Sequence, residues 1–480
     1  MKMHTDNDQQ TIQYDYIGIG LGPFNLGFAC MAAPLDDLKG RIFEQANAFC
    51  WHPGMLIEGA TLQNPFLGDL VSMADPTSPF TYLNFCKQKG RLYQLYIREN
   101  FYLGRADFNE YCQWVIQQLD NIDFGHKVMD IRYEEEEGLY RVSGVRTNTH
   151  GQQETFCVLT KKLLIGVGSH PQFPSSIADK AQILAHQPNT SLIHSGQYLK
   201  HKKPLQECKE ITVIGSGQSG AEIFYDLLTS SKDHDYKLNW VTRPARYFQM
   251  ETAKFALEIL TPDYAEYFFG LNEDVKTDIL KDHQHLYKGI NQKLINDIYD
   301  ALDENHRYQH CQAQLLPCME IVDIHFDTQS QQYHLHFKHT QTHVEYLHKT
   351  DAVIFATGYK PVLPDFIGGI RDRLQWHEDG SYLPNRNWSV DKNKGEVFIQ
   401  NAGLKGHGIT NPDLGMACYR NSRIIFAMTG IDHYPAEAST SFQQYQPHSN
   451  SGFEEISEAT QEQTQAATHS PSYIKREAYA

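Results

Sequence analysis

The chain is predicted to be an α/β protein built on two Rossmann-like units with an interleaved, mainly helical region, and three observations lead there. An apolar run ending in glycines, YDYIGIG at 14–20, is followed by the helical stretch NLGFACMAAPL; the same order recurs in ITVIGSGQSGAEIFYDLL from 211; and between 253 and 308 apolar residues fall at three- and four-residue spacing. A strand that turns sharply on glycine into a helix is one half of a parallel βαβ unit, so two copies predict two parallel-sheet domains. A third apolar strand, DAVIFATGY at 351–359, lies far from both units in sequence. YHLHFKHTQTHVEYLH, from 333 to 348, alternates with a period of two and reads as a hairpin whose polar face carries imidazoles rather than as a metal site. After about residue 432 there is no Leu, Val, Met or Trp, so the tail is predicted to be disordered: it has too little apolar surface to offset its ordering entropy.

Composition narrows the functions. With 42 basic and 58 acidic side chains the net charge is −16, which argues against a nucleic-acid or anionic-membrane binder, since polyanions are gripped by excess Lys and Arg. The polar opening MKMHTDNDQQ has no signal-peptide pattern and no apolar run is long enough to span a bilayer, so a cytoplasmic location is expected. Nine cysteines without a C-x-x-C pair exclude dithiol redox chemistry of that type.

The glycine turns carry the chemistry. Gly18 is expected to permit the tight turn and Gly20 to let the backbone approach a pyrophosphate, with the helix N-terminus beyond supplying free N–H groups. Pro23 replaces the third glycine of the simplest fingerprint and is tolerated at a helix start. Glu44 ends the next strand, near the ~20-residue offset expected of an acid that binds an adenosine ribose. The second turn, Gly215 to Gly220, is a full G-x-G-x-x-G, but its following strand ends in Thr242 and Arg243, with Arg246 beyond, instead of an acid. An arginine attracts a 2′-phosphate that an acid repels, so the second nucleotide is read as NADPH. Two dinucleotide sites in one chain then point to a flavoprotein in which NADPH reduces FAD.

GIGLGPFNLG, WHPGM at 51–55, LQNPFLGDLVSMADPTSPFTYLNF at 62–85, the second glycine turn, ATGY at 356–359 and HGITNPDLG at 407–415 together resemble the flavin-dependent N-hydroxylating monooxygenases of siderophore biosynthesis, which act on lysine, ornithine or diamines. The resemblance runs in order from about residue 14 to 430. It implies that reduced FAD takes up dioxygen as a C4a-hydroperoxide, which a neutral primary amine attacks to leave as a hydroxylamine. It also implies that Gly18, Gly20, Gly22, Pro23, Asn25 and Glu44 hold FAD, that Trp51, His52 and Gln63 lie on the isoalloxazine side as the candidate catalytic wall, and that Leu414 approaches the flavin or substrate. Gly215, Gly217, Gln218, Ser219 and Arg243 are implied to hold NADPH. The implied domains are FAD-binding at 10–205 and 346–432 and NADPH-binding at 206–345, with a tail at 433–480; a homodimer or homotetramer is the implied assembly.

One position departs from the amino-acid enzymes. Their FLxDLV block carries a lysine that pairs with the substrate's α-carboxylate, and here the block reads FLGDLV, with Gly68. Leu257 and Leu286 stand where an ornithine enzyme has polar contacts. An unpaired buried carboxylate costs ~3–5 kcal/mol, so the expected substrate is a decarboxylated amine: putrescine or cadaverine first, histamine second. Asp69 and Glu258 are the candidates for receiving the distal ammonium. The alternatives are that Lys87 or Arg91 restores amino-acid binding, or that the chain is a flavin-binding regulator without turnover. The F-x-G-x-x-x-H-x-x-x-Y signature of sulfur- and carbon-oxygenating flavoenzymes is broken, since Pro188 and Thr190 replace its Phe and Gly before His194 and Tyr198.

Overall fold

The computed structural model describes residues 13–148, 151–188, 190–448, 450–453 and 455. Two compact units divide at Thr440 and Ser441, and the second has no helix or strand among its described residues. In the first unit, strand β1 (Gln13–Ile19) is the buried centre of a seven-stranded sheet. It pairs in parallel with β2 (Gly40–Glu44) on one side and with Gln153–Ile165 on the other. Ile122–Phe124 flanks β2, and Leu139–Thr147 and His126–Glu134 extend the other edge antiparallel. Val397–Ile399 returns from late in the chain to pair in parallel with Leu163–Ile165. Helix α1 (Pro23–Ala32) has Pro23 in its first turn and is buried at nearly every position, as a sequence apolar but for Asn25 requires.

The second sheet is wholly parallel, in the order Leu192–His194, Ala352–Phe355, β3 (Glu210–Ile214), β4 (Lys237–Val241) and Ala313–Leu316. Helix α2 (Gln218–Ser230) lays Ala221, Phe224, Leu227 and Leu228 on this sheet's core, at the spacing that puts them on one face. The segment predicted as helical supplies Lys254–Leu257, α3 (Pro262–Gly270), Glu273–Asp282, Gln284–Tyr287 and Gln292–Tyr308. The histidine-rich segment forms the expected hairpin, Gln332–His339 against Glu345–Thr350, with Tyr333, Leu335 and Phe337 turned inward. Helix α4 (Ala417–Thr429) packs on α1.

Two predicted boundaries need correction. The inserted domain is wider than 206–345, because Leu192–His194 and the third apolar strand, Ala352–Phe355, belong to the second sheet; parallel pairing beside β3 claims them. Residues 433–440 are ordered rather than disordered: Tyr434 donates its hydroxyl to the Met31 carbonyl at 2.7 Å, and Thr440 N–H donates to Asp263 at 2.9 Å. Hydrogen bonds hold this stretch at both ends, and Tyr434 also packs, half-buried, against the core under α1. Residues 10–12 and 456–480 of the predicted domains lie outside the described residues.

Candidate active site

A cavity of about 1260 Å³ runs from the first glycine turn to the second, touching Gly22, Pro23 and Asn25 at the start of α1 and Ser219 at the start of α2. The first turn is built as follows. Gly20 has φ +87°, and a Cβ there would lie 2.5 Å from the Gly166 carbonyl oxygen, so the strand end crosses another loop at a distance only glycine allows. Asn25 fastens the turn by donating to the Gly20 carbonyl at 2.7 Å. Gly22, the residue before α1, has nothing within 4 Å of where its Cβ would be. The roles expected of the glycines therefore move along the chain. Gly18 is an ordinary strand residue packed on Ile42, Gly20 makes the turn, and Gly22 is the position open to a phosphate. Glu44 ends β2, accepting from Leu21 N–H and Ala46 N–H at 2.7 Å each.

Two buried polar atoms on this wall point to a bound group. The Gln63 Nε2 donor and the Asn25 Oδ1 acceptor have no partner among the described residues, and both residues line the cavity. An unpaired buried amide is costly enough that such atoms normally meet a ligand or water. Gln63 sits on the strand Thr61–Pro65, which pairs with Tyr102–Gly104. Trp51 and His52 are also on the wall; the indole packs edge-on against Phe108 and the imidazole. His52 has a left-handed backbone, φ 49°, and burial, then the neighbouring Arg105, lowers its pKa, keeping the ring neutral at pH 7. These features fit a flavin dinucleotide, which would rest its pyrophosphate on Gly22 and the α1 N-terminus and its ring beside Gln63, Trp51 and His52.

The second turn fits a nicotinamide dinucleotide in part through the residues expected. Gly215 has φ +149° and a Cβ there would strike the Ala356 carbonyl oxygen at 2.2 Å; Gly217 precedes α2 with its nearest neighbour, Lys288 O, at 3.4 Å. Arg243 is exposed beyond β4, with Glu320 3.8 Å away. The side chain of Gln218 is not available to a nucleotide. Its Nε2 donates to Glu222 at 2.8 Å and its Oε1 accepts from Asn291 N–H at 2.8 Å. Arg243→Ala is expected to raise KM for NADPH about tenfold, the equivalent of ~1.4 kcal/mol, and to leave KM for NADH unchanged in steady-state kinetics; parallel changes would remove Arg243 from the 2′-phosphate site.

The cavity lining includes the apolar Leu257, Leu286, Leu414 and Met73, with Gly68 also in the wall. Arg105 is the one Lys or Arg among the described lining residues, and it is spent: it clasps the buried Glu222 with two bonds, 2.6 and 2.9 Å. Lys87 and Arg91 do not line the cavity, and Arg91 pairs with Asp107 and Glu110 at 3.2 Å each. Asp69 is corrected from a substrate ligand to a loop anchor. It is buried outside the lining and accepts from Val71 N–H, Ser72 N–H, Ser72 Oγ and Tyr82 N–H. Glu258 is likewise absent from the lining. Three acids do line it: Glu251, Asp413 and Glu437. Sequence reading missed Asp413, which is half-buried in the cavity wall and takes a 2.7 Å bond from Asn64; desolvation pushes its pKa up against that bond. Its position in NPDLG, one residue before Leu414, was the available signal.

Fold and cavity together define an oxidoreductase with two dinucleotide sites opening on one apolar substrate chamber. The family model for L-lysine 6-monooxygenase/L-ornithine 5-monooxygenase matches residues 12–361, and the chain belongs to this family of flavin-dependent N-monooxygenases. Among its relatives is the alcaligin biosynthesis enzyme of Bordetella pertussis, 45% identical over 434 residues that cover 90% of this chain and 92% of the relative. The putrescine N-hydroxylase of Shewanella oneidensis is 43% identical, covering 95% and 88%. The FAD-bound crystal structure of DfoA, the cadaverine monooxygenase of the desferrioxamine pathway in Erwinia amylovora, superposes with a TM-score of 0.85 at 40% identity, covering 92% of this chain and all of that one.

Proposed function

We propose that the protein N-hydroxylates a small aliphatic diamine, putrescine or cadaverine, with FAD, NADPH and dioxygen, as a step toward a hydroxamate siderophore. The observation that carries the reading is the charge of the substrate chamber. Among the described residues its one Lys or Arg is locked onto Glu222, Gly68 offers nothing to a carboxylate, and three acids line the walls. The Shewanella relative, a putrescine N-hydroxylase, and the Erwinia relative, a cadaverine monooxygenase, support this reading.

A flavin held by Gly22, the α1 N-terminus, Gln63, Trp51 and His52 would, once reduced by NADPH, supply the electrophilic oxygen derived from dioxygen. The chain's own work is to place the amine and keep water out. Leu257, Leu286 and Leu414 give the methylene chain an apolar lining and disfavour the charged form of the amine that must react, because a buried ammonium loses its hydration. Trp51 and Gln63 also line the chamber, and the neutral imidazole of His52 adds no positive charge to it.

No helix among the described residues is long and apolar enough to cross a membrane. Dependence on NADPH supports a cytoplasmic site of action. A homodimer or homotetramer belongs to the same reading. The helix Leu92–Arg98 buries none of its residues and exposes Tyr93, Tyr96 and Ile97, a candidate contact between copies.

The deciding experiment measures hydroxylamine formed per NADPH oxidised with putrescine, cadaverine, histamine, lysine and ornithine. An aliphatic diamine is expected to exceed both amino acids by at least about 100-fold in kcat/KM, since the missing carboxylate partner is worth ~3–5 kcal/mol. Equal coupling with ornithine or lysine would sink the reading, and a clear preference for histamine would move it to the runner-up amine.

A further inference from the structure

We propose that residues 434–440 form the outer wall of the amine pocket and that Glu437 on this wall is the specificity-determining carboxylate for the distal ammonium of the substrate. The inference rests on the diamine reading above and names the group which that reading lacks.

The stretch is tethered at both ends to different parts of the chamber. At its start, the Tyr434 hydroxyl bonds the Met31 carbonyl of α1, while Arg423 of α4 donates to the Tyr434 carbonyl at 3.2 Å and pairs with Asp432. At its end, Thr440 and Asp263 exchange two bonds: Thr440 N–H to the Asp263 carboxylate at 2.9 Å, and Asp263 N–H to Thr440 Oγ1 at 3.1 Å. Asp263 stands in the first turn of α3. Between these tethers Tyr434, Pro435, Ala436, Glu437, Ser439 and Thr440 all line the cavity that Trp51 and Gln63 also line.

Of the three lining acids, Glu437 alone has no hydrogen bond or ion pair with the described residues. Asp413 is sealed by Asn64 and by Met416 N–H. Glu251 Oε1 accepts from Ala253 N–H at 2.7 Å, and Glu251 follows directly on Met250, whose N–H bonds the Ile290 carbonyl beside the second glycine turn. Glu437 makes no hydrogen bond or ion pair with the described residues. A diamine that reacts at one neutral end still carries an ammonium at the other, and an apolar chamber with no free polar group would expel it. A carboxylate at the mouth lets the methylenes lie in the apolar lining while the charged end keeps partial contact with water, where an ion pair costs little to form.

The test uses the full chain loaded with FAD and two amines of equal length, putrescine and n-butylamine, the second lacking the distal ammonium. Glu437→Gln keeps shape and removes charge. It is expected to raise KM for putrescine about tenfold while KM for n-butylamine moves less than about twofold, and calorimetric binding of putrescine to the oxidised holoprotein should weaken by the same factor. If the two amines shift together, or neither shifts, Glu437 does not read the ammonium. Flavin absorbance per chain verifies folding, and Glu437→Asp, which keeps the charge, should recover most of the loss. Thr440→Val, which removes one tether bond, is expected to raise KM for both amines and to speed proteolytic cutting within 434–440. Unchanged KM and cutting would overturn the wall. Failure of the underlying reading looks different: the unaltered protein would give no hydroxylamine with any diamine, and the role of Glu437 would fall with it.

Discussion

Glu222→Ala is expected to cost ~3–5 kcal/mol of folding stability, because it strands the Arg105 guanidinium in a largely dry environment. Glu222 comes from α2, in the second domain, and is 4% exposed; Arg105 opens the helix Arg105–Ile116, in the first. Two short parallel bonds hold them, Arg105 also donates to the Met55 carbonyl, and Gln218 adds a third donor to the carboxylate. Burial raises the Glu222 pKa while Arg105 opposes it, so the charged form persists only with its partner in place. The double replacement Arg105→Met with Glu222→Leu should recover most of the loss, since an apolar pair of similar volume needs no desolvation. Urea unfolding followed by flavin fluorescence and by backbone circular dichroism compares the three proteins. A Glu222→Ala midpoint equal to that of the parent would show that the pair is not what joins the two domains. Glu222→Ala is also expected to raise KM for NADPH, as Gln218 and Asn291 lose their fixed positions at the second turn.

Gly68→Lys is expected to lower kcat/KM for putrescine about 100-fold, since like charges ~6 Å apart at an effective dielectric of ~20 repel by ~2.8 kcal/mol. Sterics must be separated from charge. A Cβ at position 68 would stand 3.1 Å from Gly415 Cα, so any side chain pushes slightly on the NPDLG loop. Gly68→Ala isolates that push and should cost less than about tenfold, or ~1.4 kcal/mol. If alanine and lysine are equally damaging, packing rather than charge explains the glycine. If neither matters, position 68 does not face the amine.

The parts of the site that were legible in the sequence are those written within one βα unit. The glycine turns and the placement of Glu44 at the end of β2 follow from local geometry, because a strand, a turn and a helix N-terminus are contiguous in the chain. Even there the assignment of roles slipped by one glycine, since the backbone angle at Gly20 depends on the crossing loop at Gly166, far away in sequence. Side chains whose partners come from another element were not legible. Gln218 and Asp69 look like ligands until their partners, Glu222 with Asn291 and the Val71–Tyr82 loop, are in place. The ordered stretch 433–440 escaped notice for a related reason. Composition reports how much apolar area a segment can bury, and this one is held by the polar tethers at Tyr434 and Thr440.

The return of Val397–Ile399 to the first sheet sets the order in which a growing chain is able to fold. The long strand Gln153–Ile165 is synthesised well before its late parallel neighbour, and all of the second sheet is made in between. Until residue 399 leaves the ribosome, the first sheet carries an open, apolar edge at Leu163–Ile165, while the second sheet already has every strand it needs once Phe355 has emerged. The nicotinamide half is thereby free to mature first, and the flavin half must wait, exposed, for its last strand. Such long-range closure is slow and aggregation-prone.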